Sequence, residues 1–343
     1  FFFKQKTAYE IKECDWTSDV CSSDLSPPGV DGILLVDKPS GPTSHDVVAK
    51  VRRLAGQPRI GHGGTLDPFA TGLLVLLLGK ATRLAGLHLG GAKRYRATFS
   101  FGGSTTTDDL DGERVGAAGP PPTRGAVEAL LPRFRGALEQ IPPSHSAKRL
   151  DGVRAYELAR AGAIVELAPR AVEVRRFEVT NWDDSRPDEP LMEADLEVSS
   201  GTYVRALARD LGAAAGSGAH LVALRRIGSG DFDVAGAHSM ESIAIAAGER
   251  RLASLLLPLD AGLGEIPALE VTSAALPLLA DGGSLANSHL SPRPSGLSVG
   301  DLVRLVAAGE LLALARATAT GVQPERVFIG GTTSFARSGA PLA

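Results

Sequence analysis

A chain of 343 residues, 43% of them apolar, is long enough for one large domain with a smaller one beside it. Its longest uninterrupted apolar run, 73–78, is six residues. Roughly 20 are needed to span a bilayer, so a helical membrane protein is excluded and no membrane partner is expected. The 36 basic and 39 acidic side chains nearly cancel, so any surface for nucleic acid has to be local rather than a general basic character.

Residues 1–25, FFFKQKTAYEIKECDWTSDVCSSDL, differ in composition from the rest of the chain and hold both cysteines and one of the two tryptophans. They lack the apolar stretch and cleavage site of a signal peptide. They resemble translated sequencing-adapter read-through, so they are set aside from the fold reading and expected to be disordered. The Cys-free remainder excludes disulfides and Cys-ligated metals and places the chain, by default, in the cytoplasm. That remainder carries 33 basic against 34 acidic residues.

Ile33–Val36 reads as a short apolar strand. A Pro/Gly loop comes next, then an amphipathic helix with Ser44 at its N-cap and Val47, Val48, Val51 and Leu54 on one face. The stretch GHGGTLDPFATG (61–72) is a glycine-rich loop leading into a buried strand at 73–78. KRYRATFSFG (93–102) alternates as a half-buried strand; a polar loop (103–125) precedes a helix near 126–135. Segment 142–162 reads as loop, short strand and helix, 170–180 and 191–199 as strands, and 203–216 as a helix. After about residue 260 the runs DLVRLVA and RVFIG, set between Gly/Pro/Ser turns, suit a small β-rich appendage.

Strands and helices alternate too irregularly for repeated βαβ units, and no GxGxxG or phosphate-cradling GxxxxGK[ST] is present. The fold class is therefore α+β, with a mixed, mostly antiparallel central sheet flanked by helices and a small β-rich C-terminal domain. The expected division is a non-native segment at 1–25, a larger α+β domain at 26–259 and a small β-rich domain at 260–343.

Asp67 is the residue with the most chemical potential in the glycine loop. By itself an Asp before Pro is either a turn former or a reactive carboxylate. No second carboxylate lies within the loop, which argues against paired-carboxylate glycosidase chemistry and suits a reaction with one carboxylate as nucleophile or base. Glycines leave room for a nucleic-acid or sugar backbone to approach.

The loop GHGGTLDPFATGLLVLLLGKATRL resembles the catalytic motif of the TruB family of pseudouridine synthases. Further segments match that family in order: DGILLVDKPSGPTSHDVV, KRYRATFSFG, FRGALEQIPPSHSA, RAYELARAG, SSGTYVRALARDLG and GAHLVALRRIGSG, together covering about residues 30–230. The resemblance implies a pseudouridine synthase fold with a PUA-like C-terminal domain. It implies isomerisation of uridine 55 to pseudouridine in the T loop of tRNA, with no cofactor and no metal.

It implies that Asp67 is the catalytic aspartate, that Tyr95 stacks on the extruded base and that Arg205 pairs with Asp67. Tyr203 and Leu224 would wall the uridine pocket, His62 would reach into the RNA loop, and Lys38 would stand near the substrate. Two other readings of the same resemblance are a catalytically silent tRNA-binding module and the guide-RNA-dependent relative. The compact chain without basic tails favours a stand-alone monomer acting on the T loop and T stem of tRNA without a protein partner.

The clusters Lys93-Arg94-Arg96, Lys148-Arg149 and Arg225-Arg226 are expected to converge as phosphate contacts. The chain departs from the family pattern at Gly63, where Thr is usual, at Thr106, where the first acid of TDTxD is lost, at His145, and at Arg149, where Lys is usual.

Overall fold

The computed structural model describes residues 29–115, 119–143, 149–150, 153–154, 167–291 and 296–329. The segment 1–25, the helix expected within 142–162, and the departures at His145 and the Arg149 side chain lie outside the described residues.

Taken in chain order, the first part contains β1 (Gly32–Lys38), α1 (Ser44–Ala55), β2 (Ile60–His62), β3 (Thr71–Leu78), α2 (Ala85–Leu89) and β4 (Lys93–Phe101). The hairpin β5 (Ser104–Thr105) and β6 (Arg114–Val115) succeeds them, then α3 (Arg124–Leu130), β7 (Gly136–Gln140) and the short pair β8 (Arg149–Leu150) and β9 (Val153–Arg154). Next come β10 (Arg170–Asp183), β11 (Leu191–Val198), α4 (Val204–Ala214), β12 (Ala219–Ser229), β13 (Phe232–Asp233) and β14 (His238–Ser239). The C-terminal strands are β15 (Ala268–Glu270), β16 (Leu285–Ala286), β17 (Leu302–Ala307), β18 (Glu310–Ala317) and β19 (Gly321–Val327).

The larger sheet runs β14-β1-β3-β12-β4-β11-β10-β7, with β2 on β3 and β13 on β12. Only β1–β14 and β3–β12 pair in parallel; the other pairs are antiparallel. This is the mixed, mostly antiparallel sheet the sequence predicts. Its centre is the continuous apolar strand β3, in which Leu73 through Leu78 are all 1% exposed or less. Such a strand is covered on both faces, which its uninterrupted apolar run dictates. One face packs on Val47, Val48 and Val51 of α1 and on Leu207 and Leu211 of α4. The other packs on Phe232 and the 257–261 segment.

Helix α1 begins one residue earlier than Ser44 suggests. Thr43 is its N-cap, because Asp46 three positions on completes a capping box: the Asp46 N–H donates to Thr43 Oγ1 at 3.1 Å and the Thr43 N–H to Asp46 Oδ2 at 2.9 Å. Ser44 is thereby free to turn into the core, where its hydroxyl donates to the Leu66 carbonyl at 3.0 Å and accepts from the Leu66 N–H at 2.8 Å. This reciprocal pair ties the helix to the glycine-rich loop.

The C-terminal sheet, ordered β15-β17-β18-β19-β16, encloses its own core. It rests on the body of the larger sheet through an apolar cluster of Leu84, Leu263, Leu311, Leu314 and Phe328. Arg83 adds a polar latch: it donates to the Val327 carbonyl at 2.5 Å, and Arg326 donates back to the Arg83 carbonyl at 2.7 Å. Among the described residues no helix is long and apolar enough to cross a membrane.

Candidate active site

The loop between β2 and β3 is held from below by two buried cations. Lys38, fully buried at the end of β1, donates to the carbonyls of Pro39, Pro68 and Ala70 at 2.8, 3.0 and 2.7 Å. Burial pulls its pKa down to about 8, with the Asp67 carboxylate opposing that shift. Arg226 on β12 is 1% exposed and donates to the carbonyls of Leu73, Thr65 and Gly64 at 2.7, 3.2 and 3.1 Å. Loop carbonyls that would otherwise be buried without donors thus meet fixed positive groups.

Asp67 both makes the turn and presents a carboxylate. Its carbonyl accepts from the Ala70 N–H at 3.2 Å. Its side chain receives two parallel hydrogen bonds from Arg205, Nε to Oδ2 at 2.9 Å and Nη2 to Oδ1 at 3.1 Å. Arg205 is 5% accessible at its side chain against 31% for Asp67, so the carboxylate opens to the pocket while its partner is sealed behind it. A bidentate fork fixes the carboxylate plane as a single point charge could not.

Arg205 is itself anchored by the polar loop after β4. It donates to the Thr107 carbonyl at 2.9 Å and lies 3.3 Å from Asp109 Oδ2. Asp109 in turn accepts from Thr107 Oγ1 and from the Asp111 N–H. Burial raises the Asp109 pKa, against the pull of the Thr107 hydroxyl and of Arg205. The chain Asp109–Arg205–Asp67 therefore joins three distant segments. Sequence reasoning does not single out Asp109 as a site residue, although it occupies the last acid of the stretch that matches the family's TDTxD.

These residues open on a pocket of about 230 Å³ lined by Gly64–Asp67, Leu89, Lys93, Tyr95, Ser200–Arg205, Leu224 and Arg226. Four of the expected residues meet Asp67 there: Tyr95, Tyr203, Leu224 and Arg205. Tyr95 and Arg226 are directly opposed on β4 and β12, and Leu224 opposes Ala97, so the sheet register brings the ring, the leucine and the guanidinium to one face. Tyr203 precedes α4, where Gln140 of β7 pins it with two bonds: its N–H donates to Gln140 Oε1 at 2.8 Å and its carbonyl accepts from Gln140 Nε2 at 3.1 Å.

The other two expected contacts lie elsewhere. Lys38 is fully enclosed beneath the loop, outside the pocket lining, with its ammonium on loop carbonyls. His62 sits on β2 outside the pocket lining, edge-on to His45 with ring centres 5.7 Å apart. Burial lowers its pKa, helped by His45 and Arg226.

The basic clusters do not converge as expected. Alternation along a strand sends Lys93 and Tyr95 to the pocket face and Arg94 and Arg96 to the opposite one. Arg94 pairs with Asp233 at 3.0 Å, Arg96 with Asp195 at 3.3 Å and Arg225 with Asp37 at 2.7 Å. Of these residues only Lys93 and Arg226 reach the pocket. Lys93 is 6% exposed and its pKa falls to about 8, through burial first and Arg226 second. Lys148 and the Arg149 side chain lie outside the described residues.

An enclosed apolar wall with an aromatic ring, one ion-paired carboxylate and two cations fits a planar, polar-edged ring such as a nucleobase. Solved structures with the same architecture support that class. An H/ACA RNP bound to a substrate RNA containing 2'-deoxyuridine matches with a TM-score of 0.67 at 25% identity, over 88% of this chain and 86% of that one. A Cbf5–Nop10–Gar1 complex matches with a TM-score of 0.66 at 25% identity, over 88% and 85%. The fold is thus that of the pseudouridine synthases.

Residues 52–204 match the N-terminal domain of the TruB family pseudouridylate synthases, and residues 205–264 the tRNA pseudouridylate synthase B C-terminal domain. Curated relatives called tRNA pseudouridine synthase B are similar over most of the chain. The protein of Bradyrhizobium diazoefficiens is 43% identical over 305 residues, covering 87% of this chain and 86% of the relative. That of Thermobifida fusca is 43% identical over 309 residues, covering 88% and 99%. The chain belongs to the TruB family and is a pseudouridine synthase, an isomerase.

Proposed function

We propose that this enzyme converts uridine 55 of the tRNA T loop to pseudouridine, acting alone and in the cytoplasm, with Asp67 as the reacting carboxylate. The observation that carries this reading is the bidentate Asp67–Arg205 pair at the floor of a base-sized pocket beside Tyr95. The names of the curated relatives support tRNA as the substrate.

The target uridine is extruded from the RNA and its ring lies against Tyr95 and Leu224, which recover part of the stacking lost on extrusion. Arg205 holds the Asp67 carboxylate in one orientation, and the buried cations beneath keep the loop from shifting as the glycosidic bond is broken and remade. The base detaches at nitrogen, turns, and rejoins the ribose through carbon. Reactant and product are isomers, so the chemistry balances with no co-reactant. Lys93, at the pocket rim, donates to the carbonyls of Gly91 and Leu89 rather than to a carboxylate, and offers its ammonium to the RNA backbone. The five-stranded C-terminal sheet serves as a second RNA-contacting surface, and His62 contacts the RNA loop beyond the base pocket.

The test is to incubate the purified chain, with no guide RNA and no partner protein, with an unmodified tRNA transcript and to map pseudouridine by its carbodiimide adduct. A single reverse-transcription stop one nucleotide 3′ of position 55 is expected. Modification only when a guide RNA is added would move the enzyme to the guide-dependent class suggested by the H/ACA likeness.

A further inference from the structure

The polar loop after β4 carries two consecutive carboxylates, and only Asp109 reaches Arg205. The other, Asp108, lies 3.3 Å from Arg209, one helical turn further along α4. Arg205 and Arg209 are an i, i+4 pair on one helix face. Adjacent side chains on an extended segment point to opposite sides, so two neighbouring aspartates would not both reach one helix. Here they do, because Asp108 has a φ of 59°, one of three positive values among described non-glycine residues. Asp is among the few L-residues that adopt this conformation readily. The kink is held on its other side too: the Leu221 N–H of β12 donates to the Asp108 carbonyl at 3.1 Å, and Thr105 Oγ1 to the Asp109 carbonyl at 2.6 Å.

We infer that Asp108 and Arg209 are positioning residues: their pair is a second clip that locks the loop onto α4, so that Asp109 and the Thr107 carbonyl hold Arg205 square to Asp67 during pseudouridine formation. The inference rests on the proposed function and goes beyond it, since neither residue lines the pocket or touches the base.

Charge and burial separate this role from simple stabilisation. The Asp108 side chain is 12% accessible and that of Arg209 29%. Facing the Asp108 carboxyl are Arg209, Arg205 and Asp210 from α4 and Asp109 from its own loop; burial outweighs the two arginines and lifts its pKa to about 6. With a folded-state pKa above the ordinary value, folding favours the protonated form. This group's contribution to stability is therefore full below the ordinary pKa and is lost as pH rises through about 6. An ionised Asp108 thus costs stability at neutral pH, where the clip is closed. Arg209 is not stranded without it, because it also donates to Asp210 Oδ1 and to the Ile141 carbonyl, both at 2.8 Å.

The experiment compares the full chain with Asp108→Asn and Arg209→Leu, reading single-turnover pseudouridine formation, tRNA affinity by filter binding and thermal midpoint. Asn keeps the shape and tolerates the left-handed backbone. Asp108→Asn is expected to slow turnover by about ten-fold at neutral pH, with tRNA affinity within about twofold and no fall in thermal midpoint. Arg209→Leu is expected to slow turnover similarly, and the double variant to be no slower than the slower single one, as for two halves of one interaction. The wild-type rate is expected to drop as pH falls through about 6 and the Asp108→Asn rate to stay flat there.

A wild-type rate and pH limb in Asp108→Asn would overturn the inference, as would a loss that tracks weaker tRNA binding or a lower midpoint. Amide exchange across 105–112 keeps the two readings distinct. If the wild type makes no pseudouridine in tRNA, the functional reading fails. The clip then stands on an exchange rate about ten-fold faster in Asp108→Asn, and falls if exchange is unchanged.

Discussion

Gly72 and Arg226 face each other where β3 and β12 run parallel, and a Cβ on Gly72 would lie 2.3 Å from the Arg226 carbonyl oxygen and 2.9 Å from its nitrogen. Gly72 also has a φ of 97°. The last glycine of the catalytic loop is therefore needed to let a strand from about 150 residues away come close enough to deliver its arginine. Gly72→Ala is expected to destabilise the fold by about 3 kcal/mol, the sum of a disfavoured backbone and a displaced strand. Urea unfolding followed by fluorescence measures it.

Asp67→Asn keeps the turn and the size of the side chain but removes the reactive anion. Turnover is expected to fall by about 10⁴-fold or more while tRNA affinity changes by less than about threefold. Rate and binding measured on the same transcript separate the two; a variant that still turns over would leave Asp67 as a turn former.

Arg205→Lys replaces a fork by a point charge. It can keep one hydrogen bond to Asp67 but not the two to Asp67 together with the bond to Thr107 and the ion pair with Asp109, so turnover is expected to fall by about 100-fold. Asp109→Asn removes the charge behind the guanidinium and is expected to cost about ten-fold, with binding unchanged. Single-turnover kinetics read both.

For Tyr95, the ring is the asset in a stacking role. Tyr95→Phe is expected to stay within about tenfold of wild type and Tyr95→Leu to lose a further 10- to 100-fold, the range of about 1–3 kcal/mol for one stacked base.

The proposed contact of Lys93 with the RNA backbone predicts a pH dependence of RNA binding. With its pKa brought down to about 8, it is charged at neutral pH and loses that charge as pH rises through about 8, where most lysines are still protonated. At fixed salt, tRNA affinity is expected to weaken several-fold between about pH 7 and pH 9, with a shallower salt dependence at the upper end. For stability the sign is opposite: deprotonation relieves a buried charge, so the fold gains from the same change. Lys38 titrates in the same window, at about 8. The contrast to measure is therefore wild type against Lys93→Gln, which is expected to show the flatter affinity profile.

Patterns that lie within one element were legible in the sequence. The six-residue apolar run marks the buried strand and the alternation in 93–102 marks β4; the family resemblance, not any single element, points to Asp67, Tyr95, Arg205, Tyr203 and Leu224, which meet at one pocket. What the sequence hid depends on partners. Nothing in GAHLVALRRIGSG announces a central strand until β3 and β4 are seen to flank it. Lys38 is expected near the substrate and Arg226 among the phosphate contacts; that both instead hold loop carbonyls was hidden, because those carbonyls come from a loop folded over them. Arg94, Arg96 and Arg225 read as partners of Lys93 and Arg226, yet strand alternation points them to the far face, where acids meet them. Asp109 was legible only as the last acid of the TDTxD-like stretch; its link to Arg205 was not, since that partner lies about a hundred residues away in the chain.

The order β3-β12-β4 has a consequence for synthesis. The two outer strands leave the ribosome nearly together, but the strand that belongs between them emerges more than a hundred residues later. Until then the nascent chain lacks the strand that joins β3 to β4, although Asp67 is already made. Leu224 and Arg226 complete the pocket lining, so the pocket has all its residues only after about two-thirds of the chain has been translated.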